Sequence, residues 1–407
     1  MDVQIRRITE DELEPFLTAS ETASSSAIDR DEIERERSIA EPERNFAAFD
    51  GPDIVGTAGA FTMPMTVPGG RVVEIGYPTL VGVLPTHRRR GIAAGLMRAI
   101  LDDGHGRGEP LSILYASEGG IYGRYGFGLG TIGLSFRIET ARSAFVRGYE
   151  PSGRVRLVER DRAIKEILAV HEITRLVTPG MVHLDERRLV YGLDHAHGED
   201  KQRPNFFALH EGPDGVDGYL VYKVAHHWPE GTPDSTLNVR DLVAANPGAY
   251  ADLWRFAFDV DLVTYVEAWN RPSDEPLVHL LREPRRLRAR LSDGLWVRLV
   301  DVRGALGARR YASAGRVVLE VSDPFCPWNE GTYALEVGVD GAAVAEPTTD
   351  PAEIVCTASD LGATYLGGTS FRQLHRAGRI EERAERALAR ADAMFGWDPA
   401  PWSPYEF

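Results

Sequence analysis

The sequence predicts a mixed α/β and α+β protein with three domains, and three observations support this interpretation. Its 407 residues exceed the usual length of one domain, so two or three are expected. Short apolar runs bounded by glycine, proline and aspartate alternate with segments of helical period, which is typical of sheets covered by helices. A strand-turn-helix pattern occurs at 79–100 and again at 236–258. We therefore expect domains at 1–150, 151–290 and 291–407.

The composition narrows the class of function. A content of 43% hydrophobic and 26% charged residues is that of an ordinary soluble globular protein. The net charge of -15 argues against nucleic acid or an anionic membrane as the main partner, and it suits cationic molecules such as polyamines; solubility alone is the other explanation. The N-terminus lacks an apolar leader and no stretch is long enough to span a bilayer, so a cytoplasmic enzyme is predicted.

Two cysteines, Cys326 and Cys356, predict neither a disulfide framework nor a cysteine-rich metal site.

The first third of the chain reads as strands and helices in alternation. Thr9 is a candidate N-cap for a helix that runs toward Phe16 and Leu17. The charge-dense stretch 24–43 predicts an exposed helix stabilised by i, i+4 pairs. Strands are predicted at 3–8, 45–49, 54–63, 71–77, 79–84 and 111–116.

The most informative stretch joins the apolar strand 79–84 to an amphipathic helix through a basic turn. The turn contains Arg88, Arg89, Arg90 and Gly91. A helix N-terminus carries free backbone N–H groups and a partial positive charge, and glycine allows close approach of the backbone, so such a turn can bind phosphate. The alternative is a solvated run of arginines, as charge runs usually are.

The spacing Arg88-x-x-Gly91-x-Ala93 resembles the signature of the GNAT superfamily of N-acetyltransferases. No Gly-Lys-Ser/Thr follows, so the turn is not a P-loop. The resemblance implies that the turn holds the pyrophosphate of acetyl-CoA and that the preceding strand pairs with its pantetheine arm. The cofactor-binding residues implied are Val81, Gly82, Val83, Arg89, Arg90, Gly91, Ile92, Ala93 and Ala94.

A second motif covers residues 117–128, where Tyr122 stands four residues before Gly126-Phe127. GNAT enzymes carry a tyrosine at this spacing, near the CoA sulfur. A thiolate leaving group with a pKa of about 8.5 needs a proton donor, so the resemblance assigns this role to Tyr122, with Tyr125 as the runner-up. Ser117 and Glu118 follow the strand directly and are predicted to contact the cofactor.

The remaining chain predicts a degenerate second copy and a third domain. Residues 244–250 have no arginine cluster, so we do not expect the second copy to bind CoA. The third domain resembles the sterol-carrier-protein fold, which often binds lipids, although fold alone does not carry function. Predicted strands are 155–158, 205–209, 218–224, 236–244, 295–299, 315–321, 331–339, 342–346 and 354–357, and predicted helices are 161–175, 249–258, 302–311, 358–366, 371–377 and 380–394.

The chain ends in an aromatic, proline-stiffened segment, 401–407, whose composition is typical of a tail that docks. With the two GNAT-like copies and the third domain, this tail resembles the Eis (enhanced intracellular survival) family of N-acetyltransferases over essentially the full length. The resemblance implies that the α-carboxylate of Phe407 is the base, that Tyr122 is the acid, and that Glu406 contacts a cationic substrate. It also implies a homo-hexamer.

These observations predict an acetyl-CoA-dependent N-acetyltransferase that needs no metal and acts on primary amines of polyamines or aminoglycosides. Acetylation of protein lysines is the nearer alternative. A non-catalytic module that binds lipid or protein through the third domain is the more distant one.

Overall fold

The computed structural model describes residues 3–146, 148–194 and 203–405. Glu406 and Phe407, two of the predicted site residues, lie outside these ranges. The described chain forms two compact units. The first contains residues up to 131 together with 295–401, and the second contains 132–294 together with 402–405.

The first unit combines the N-terminal part of the chain with a later segment. Its strands are β1 Gln4–Arg7, β2 Phe46–Asp50, β3 Asp53–Val67, β4 Arg71–Val83, β5 Leu111–Tyr115, β6 Gly128–Leu129, β14 Leu295–Leu299, β15 Gly315–Ser322, β16 Gly331–Val337, β17 Ala343–Pro347, β18 Ile354–Thr357 and β19 Glu381–Glu382. Its helices are α1 Leu13–Ala23, α2 Arg30–Ile39, α3 Ile92–Arg107, α4 Gly119–Tyr122, α9 Val302–Ala308, α10 Ala358–Tyr365, α11 Phe371–Arg376 and α12 Ala387–Phe395.

The second unit is built from the middle of the chain. Its strands are β7 Ile132–Glu139, β8 Arg154–Val158, β9 Phe206–Gly212, β10 Gly215–Ala225, β11 Ser235–Ala244, β12 Val263–Arg271 and β13 Arg290–Asp293. Its helices are α5 Arg160–Arg175, α6 Glu186–Asp194, α7 Pro247–Phe258 and α8 Leu277–Leu280.

Two seven-stranded sheets have the same order of strands in the described chain. The first runs β1-β2-β3-β4-β5-β14-β6, and the second, read from its other end, runs β8-β9-β10-β11-β12-β7-β13. In both, an antiparallel meander leads to one parallel pair, β4 with β5 and β11 with β12. The two copies expected from the sequence therefore have one topology.

Each of these two sheets contains one inner strand whose neighbours in the sheet are not its neighbours in sequence. β14 follows the second copy in the chain but lies between β5 and β6, where Leu295 faces Tyr115 and Val297 faces Gly128. β7 follows the first copy but lies between β12 and β13 of the second sheet. The sheets thus divide the chain near 131 and 294, whereas the predicted boundaries were 150 and 290.

Several predicted elements need correction. The strands expected at 71–77 and 79–84 form one strand, β4. The terminal helix expected from 380 begins at Ala387, since Arg386 has a positive φ of 62° and residues 381–382 form β19. The helix expected to reach 311 ends at Ala308, because the buried Arg309 is extended and donates to the Phe395 carbonyl (2.7 Å). The charged helix expected over 24–43 is α2, capped by Asp29.

The third segment packs closely against the first sheet. Its sheet has the order β17-β16-β15-β18-β19. A Cβ on Gly128 of β6 would lie 1.8 Å from the Ser359 carbonyl oxygen of α10, and one on Gly362 would lie 2.2 Å from the Val297 carbonyl oxygen. Only glycine fits at such backbone contacts, so α10 and the first sheet share one packed interface.

Candidate active site

The predicted cofactor strand contains a β-bulge. Between the pairs Gly82 with Thr57 and Thr79 with Gly59, two residues of β4 stand opposite one residue of β3. Leu80 takes a left-handed conformation (φ 52°), and the Thr57 hydroxyl donates to its carbonyl oxygen (2.7 Å). Bulges bend a strand and redirect its polar groups, and they are common beside active sites. Val81 is the second residue of this bulge, Gly82 and Val83 follow it, and all three are half-buried.

A slot opens between β4 and β5. The two strands pair only at Ile75 with Leu111 and at Gly76 with Ser112. Beyond these pairs, residues 77–83 and 113–115 have no pairing with each other in the described chain. Peptide groups along separated strands can bind an extended ligand with amide groups of its own, as pantetheine has.

A buried ion pair lies next to Gly76, at the end of the slot where β4 and β5 are paired. Arg44 and Glu109 form two hydrogen bonds of 2.6 and 2.8 Å and are nearly inaccessible to solvent. Burial raises the pKa of Glu109, and the Arg44 guanidinium opposes that rise. A Cβ on Gly76 would lie 2.9 Å from Glu109 Oε2, so Gly76 lets the pair approach β4.

The open end of the slot leads to the start of α3. Gly91 is the N-cap residue, with φ 80° and no side chain to cap the helix. The first intrahelical bond runs from the Gly95 N–H to the Gly91 carbonyl (3.0 Å), so the N–H groups of Ile92, Ala93 and Ala94 belong to the uncapped first turn. This end of the helix therefore fits an anion such as a pyrophosphate.

The three arginines of the turn have different roles. Arg88 braces the turn, because its guanidinium donates to the carbonyl oxygens of Val83 (3.4 Å) and Ala23 (3.2 Å). Arg89 and Arg90 are exposed, and Arg89 has a positive φ of 62°. The structure therefore leaves these two side chains at the helix N-terminus, where the sequence predicts phosphate binding.

Tyr122 lies buried at the end of the single-turn helix α4, with 7% of its surface exposed. Burial raises the pKa of its hydroxyl above the ordinary value, and a hydrogen bond with the Ser117 side chain opposes this rise. The hydroxyl is therefore protonated at neutral pH and can donate a proton. Ser117 and Glu118 are exposed between β5 and α4, and the structure brings Ser117 and Tyr122 together.

Tyr125, the runner-up, has another environment. Its ring packs 5.0 Å from Phe325, and burial raises its pKa as well. No hydrogen bond links it to the end of β5 in the described chain, so Tyr122 is the better placed donor.

Sequence reasoning missed the groups that hold the Tyr122 turn. Gly126 has φ 84°, and a Cβ there would lie 2.5 Å from Nη1 of Arg298. Arg298 is fully buried and pairs with Asp323 (2.6 Å), while the Phe127 ring lies 6.1 Å from the ring of Tyr122. The available signal was a charged residue inside the apolar strand 295–299, because a buried arginine requires a partner.

In the second unit, the helix end that corresponds to the phosphate site is closed. The Asn246 side chain caps α7 by accepting from the Ala249 N–H (2.9 Å), and Pro247 has no N–H to offer. Asn246 also donates to Asp217 (2.7 Å), and His210 bridges Asp217 (2.5 Å) and Asp252 (2.8 Å). These carboxylates disfavour an anionic ligand at this helix end.

The described residues contain no group of three or more His, Cys, Asp or Glu that could hold a metal ion. None of the described helices is both long and apolar enough to cross a membrane.

A slot between splayed parallel strands, an uncapped helix N-terminus at its end and a buried protonated tyrosine beside it define a CoA-dependent acyltransferase of the GNAT class. Sequence profiles agree with this assignment. Residues 4–130 and 180–299 each match an acetyltransferase (GNAT) domain, and residues 302–404 match a sterol carrier protein domain.

Comparison with known proteins narrows the class to a family. The chain is 35% identical to the N-acetyltransferase Eis of Mycobacterium tuberculosis over 88% of this chain and 87% of that protein. It is 41% identical to an uncharacterized N-acetyltransferase of Streptomyces avermitilis over 93% and 92% of the two chains. The crystal structure of Eis1 from Mycobacterium abscessus matches with a TM-score of 0.86 and 32% identity, covering 99% of this chain and all (100%) of that one. The chain belongs to the Eis family of acetyl-CoA-dependent N-acetyltransferases.

Proposed function

We propose that this chain transfers the acetyl group of acetyl-CoA directly to a primary amine of a cationic acceptor within a ternary complex. Aminoglycosides and polyamines are the acceptors to assay first. The observation that carries the proposal is the buried, protonated Tyr122 at the end of the slot between β4 and β5.

The donor is held by backbone groups along this slot. Residues 81–83 face the pantetheine arm, and the first turn of α3, from Ile92 to Ala94, receives the pyrophosphate. Arg89 and Arg90 add positive charge there, and Ser117 and Glu118 border the end that carries the thioester. The support for this placement is the open pairing between the strands and the uncapped helix end.

The proton balance involves two residues. The acceptor nitrogen attacks the thioester carbonyl, a C–N bond forms, the C–S bond breaks, and Tyr122 protonates the departing sulfur. The α-carboxylate of Phe407 receives the proton that the amine loses, and Glu406 contacts a second positive charge of the acceptor. These two assignments derive from the resemblance to the Eis family.

A carboxylate is a weak base in water. An α-carboxyl group has an ordinary pKa of about 3.3–3.7, and desolvation must raise it before it accepts a proton from an amine efficiently. Its negative charge also orients an ammonium group before the proton is lost. Both effects need the carboxylate at a fixed position. The contacts that hold the tail are therefore expected to affect the rate of acetyl transfer.

The test is a thiol-release assay with acetyl-CoA and a panel of aminoglycosides, polyamines and lysine peptides. It compares the wild type with a Phe407-deleted variant and with a variant that carries one additional C-terminal glycine. Turnover of small amines that is lost in both variants, with acetyl-CoA affinity retained, supports the proposal. Turnover of lysine peptides alone moves the acceptor class to proteins. CoA binding without turnover, together with a copurifying lipid, favours the binding module.

We also propose the homo-hexamer that the family resemblance implies. Sedimentation equilibrium of the full chain tests it, and a monomer at micromolar concentration would contradict it.

A further inference from the structure

The end of the described chain is bound by the second unit. The indole Nε1 of Trp402 donates to the Asn270 carbonyl (2.5 Å), and the backbone N–H of Trp402 donates to the Pro179 carbonyl (2.9 Å). The Asn270 amide in turn donates to the Ser403 carbonyl (2.9 Å). Residues 402–405 of the tail therefore pack against the second unit.

Charged groups buried in the second unit complete this contact. The Tyr405 hydroxyl donates to Asp241 Oδ2 (3.1 Å), and Tyr219 donates to the same oxygen (2.6 Å). Burial raises the pKa of Asp241 and of both tyrosines. The Arg271 guanidinium lies 4.8 Å from the Trp402 ring, a cation–π contact away from solvent.

This location corresponds to the donor slot of the first unit. β11 has a bulge at Arg240, since Asp241 faces Val221 while Val239 faces Tyr222. Asp241 therefore follows the bulge of β11 as Gly82 follows that of β4. The pairing of β11 with β12 stops at Val239, and beyond it the Arg271 side chain bridges the strands by donating to the Leu242 carbonyl (2.8 Å).

The two units therefore differ in what lines their open strand ends. In the first unit the slot is lined by glycine and peptide groups, whereas in the second Asp241, Arg271 and Asn270 bind the tail. A vestigial slot without a role would not need two carboxylate-bound tyrosines and a stacked arginine, because buried charges destabilise a fold unless they are paired.

We propose that the second, degenerate GNAT unit is a receptor for the C-terminal tail, and that Asp241, Tyr405 and Trp402 are positioning residues for the acetyl transfer. Phe407 is two residues beyond Tyr405 in the sequence, and two residues span at most about 7 Å. Fixing Tyr405 therefore restricts where the Phe407 carboxylate can lie. This inference rests on the proposed role of that carboxylate.

The hydrogen bond between Tyr405 and Asp241, which we call the anchor, is tested with two variants, Tyr405→Phe and Asp241→Asn. Tyr149→Phe is the matched control. Tyr149 also donates to a carboxylate of the second unit (Asp252, 2.6 Å), but it does not contact the tail in the described chain. Hydrogen exchange of the amides of residues 402–405 reports docking, and steady-state kinetics report catalysis. We expect faster tail exchange and about tenfold lower kcat in both test variants, with KM for acetyl-CoA unchanged, because one buried hydrogen bond is lost.

Rescue of kcat by an added carboxylate distinguishes a positioning role of the tail from a simple loss of stability. Formate at tens of millimolar concentration should restore part of the lost kcat in Tyr405→Phe and leave Tyr149→Phe unchanged, since a small carboxylate can replace a displaced one. Unchanged tail exchange in both test variants would overturn the inference, and so would faster exchange with unchanged kcat. In either case, turnover of amines by the wild type would still support the proposed function. A wild type inactive with every amine overturns the proposed function, and tail exchange in the same variants then decides separately whether the second unit is a receptor for the tail.

Discussion

Gly91 and Gly108 lie at the two ends of helix α3 in nearly the same left-handed conformation, with φ values of 80° and 77°. A Cβ at either position would meet no atom within 4 Å. The same substitution therefore causes the same backbone strain at both ends, while only Gly91 borders the proposed pyrophosphate site.

We expect Gly91→Ala and Gly108→Ala to lower the free energy of unfolding by similar amounts, about 1–2 kcal/mol each, because alanine is strained at positive φ. Gly91→Ala alone should also raise KM for acetyl-CoA, because relief of the strain displaces the N–H groups at the start of α3; a loss of about 1.4 kcal/mol of binding corresponds to roughly tenfold. Urea denaturation and initial rates measure the two effects. Equal KM values in the two variants would remove the N-terminus of α3 from donor binding.

Replacing Tyr122 by phenylalanine should reduce kcat by about 10²–10⁴-fold, the usual contribution of a general acid, without changing acetyl-CoA affinity. Tyr125→Phe is the matched control and should retain most activity. Because burial raises the pKa of Tyr122, the protonated hydroxyl should persist to high pH, and kcat should show no loss from this group below about pH 10. A Tyr122→Phe variant as active as Tyr125→Phe would contradict the assignment.

The position of β14 between β5 and β6 predicts which fragments of the chain can fold. A fragment of residues 1–131 lacks β14, which leaves the apolar edge of β5 unpaired, so it should aggregate. Joining residue 131 directly to 295–407 through a short Gly/Ser linker should give a soluble protein, since the Leu295 N–H donates to the Thr131 hydroxyl (2.7 Å). Size-exclusion chromatography and circular dichroism distinguish these outcomes. A monomeric, cooperatively folding 1–131 fragment would show that β14 is dispensable.

His171 is expected to make the stability of the second unit depend on pH. It is fully buried, its Nε2 donates to the Val182 carbonyl (2.9 Å), and its ring lies 5.3 Å from that of Tyr405. Burial lowers its pKa to about 4, against an ordinary value of about 6.5. Its neighbours Arg175 and His183 lower the pKa further, and Glu172 opposes them.

The unfolded chain therefore binds a proton at this site between pH 6.5 and 4, while the folded chain does not. Stability should fall as the pH decreases through this window, by about 3 kcal/mol in total, and the contribution is fully present above pH 6.5. His171→Gln keeps a hydrogen-bond donor but cannot titrate, so its urea midpoint should fall less over the same range. Parallel pH profiles for the wild type and the variant would contradict this account.

The local parts of the site were predictable from sequence. The strand, the turn at Arg88–Gly91 and helix α3 are adjacent in the chain, and the αL glycine and the apolar period are properties of neighbouring residues. The same holds for Tyr122 and its Gly126-Phe127 pair. The fold class and the Eis family assignment followed from these motifs and are confirmed.

Other features required the tertiary structure. The apolar pattern of 295–299 indicates a strand but not a sheet, since pairing with β5 or with a neighbour in sequence satisfies the same pattern. The Arg298–Asp323 pair, the Leu80 bulge and the anchor between Tyr405 and Asp241 depend on contacts between residues far apart in the chain. The sequence by itself determined the chemistry and the local geometry of the donor site. Only the folded structure decided which strands and buried charges support it, because long-range pairing depends on packing rather than on local propensity.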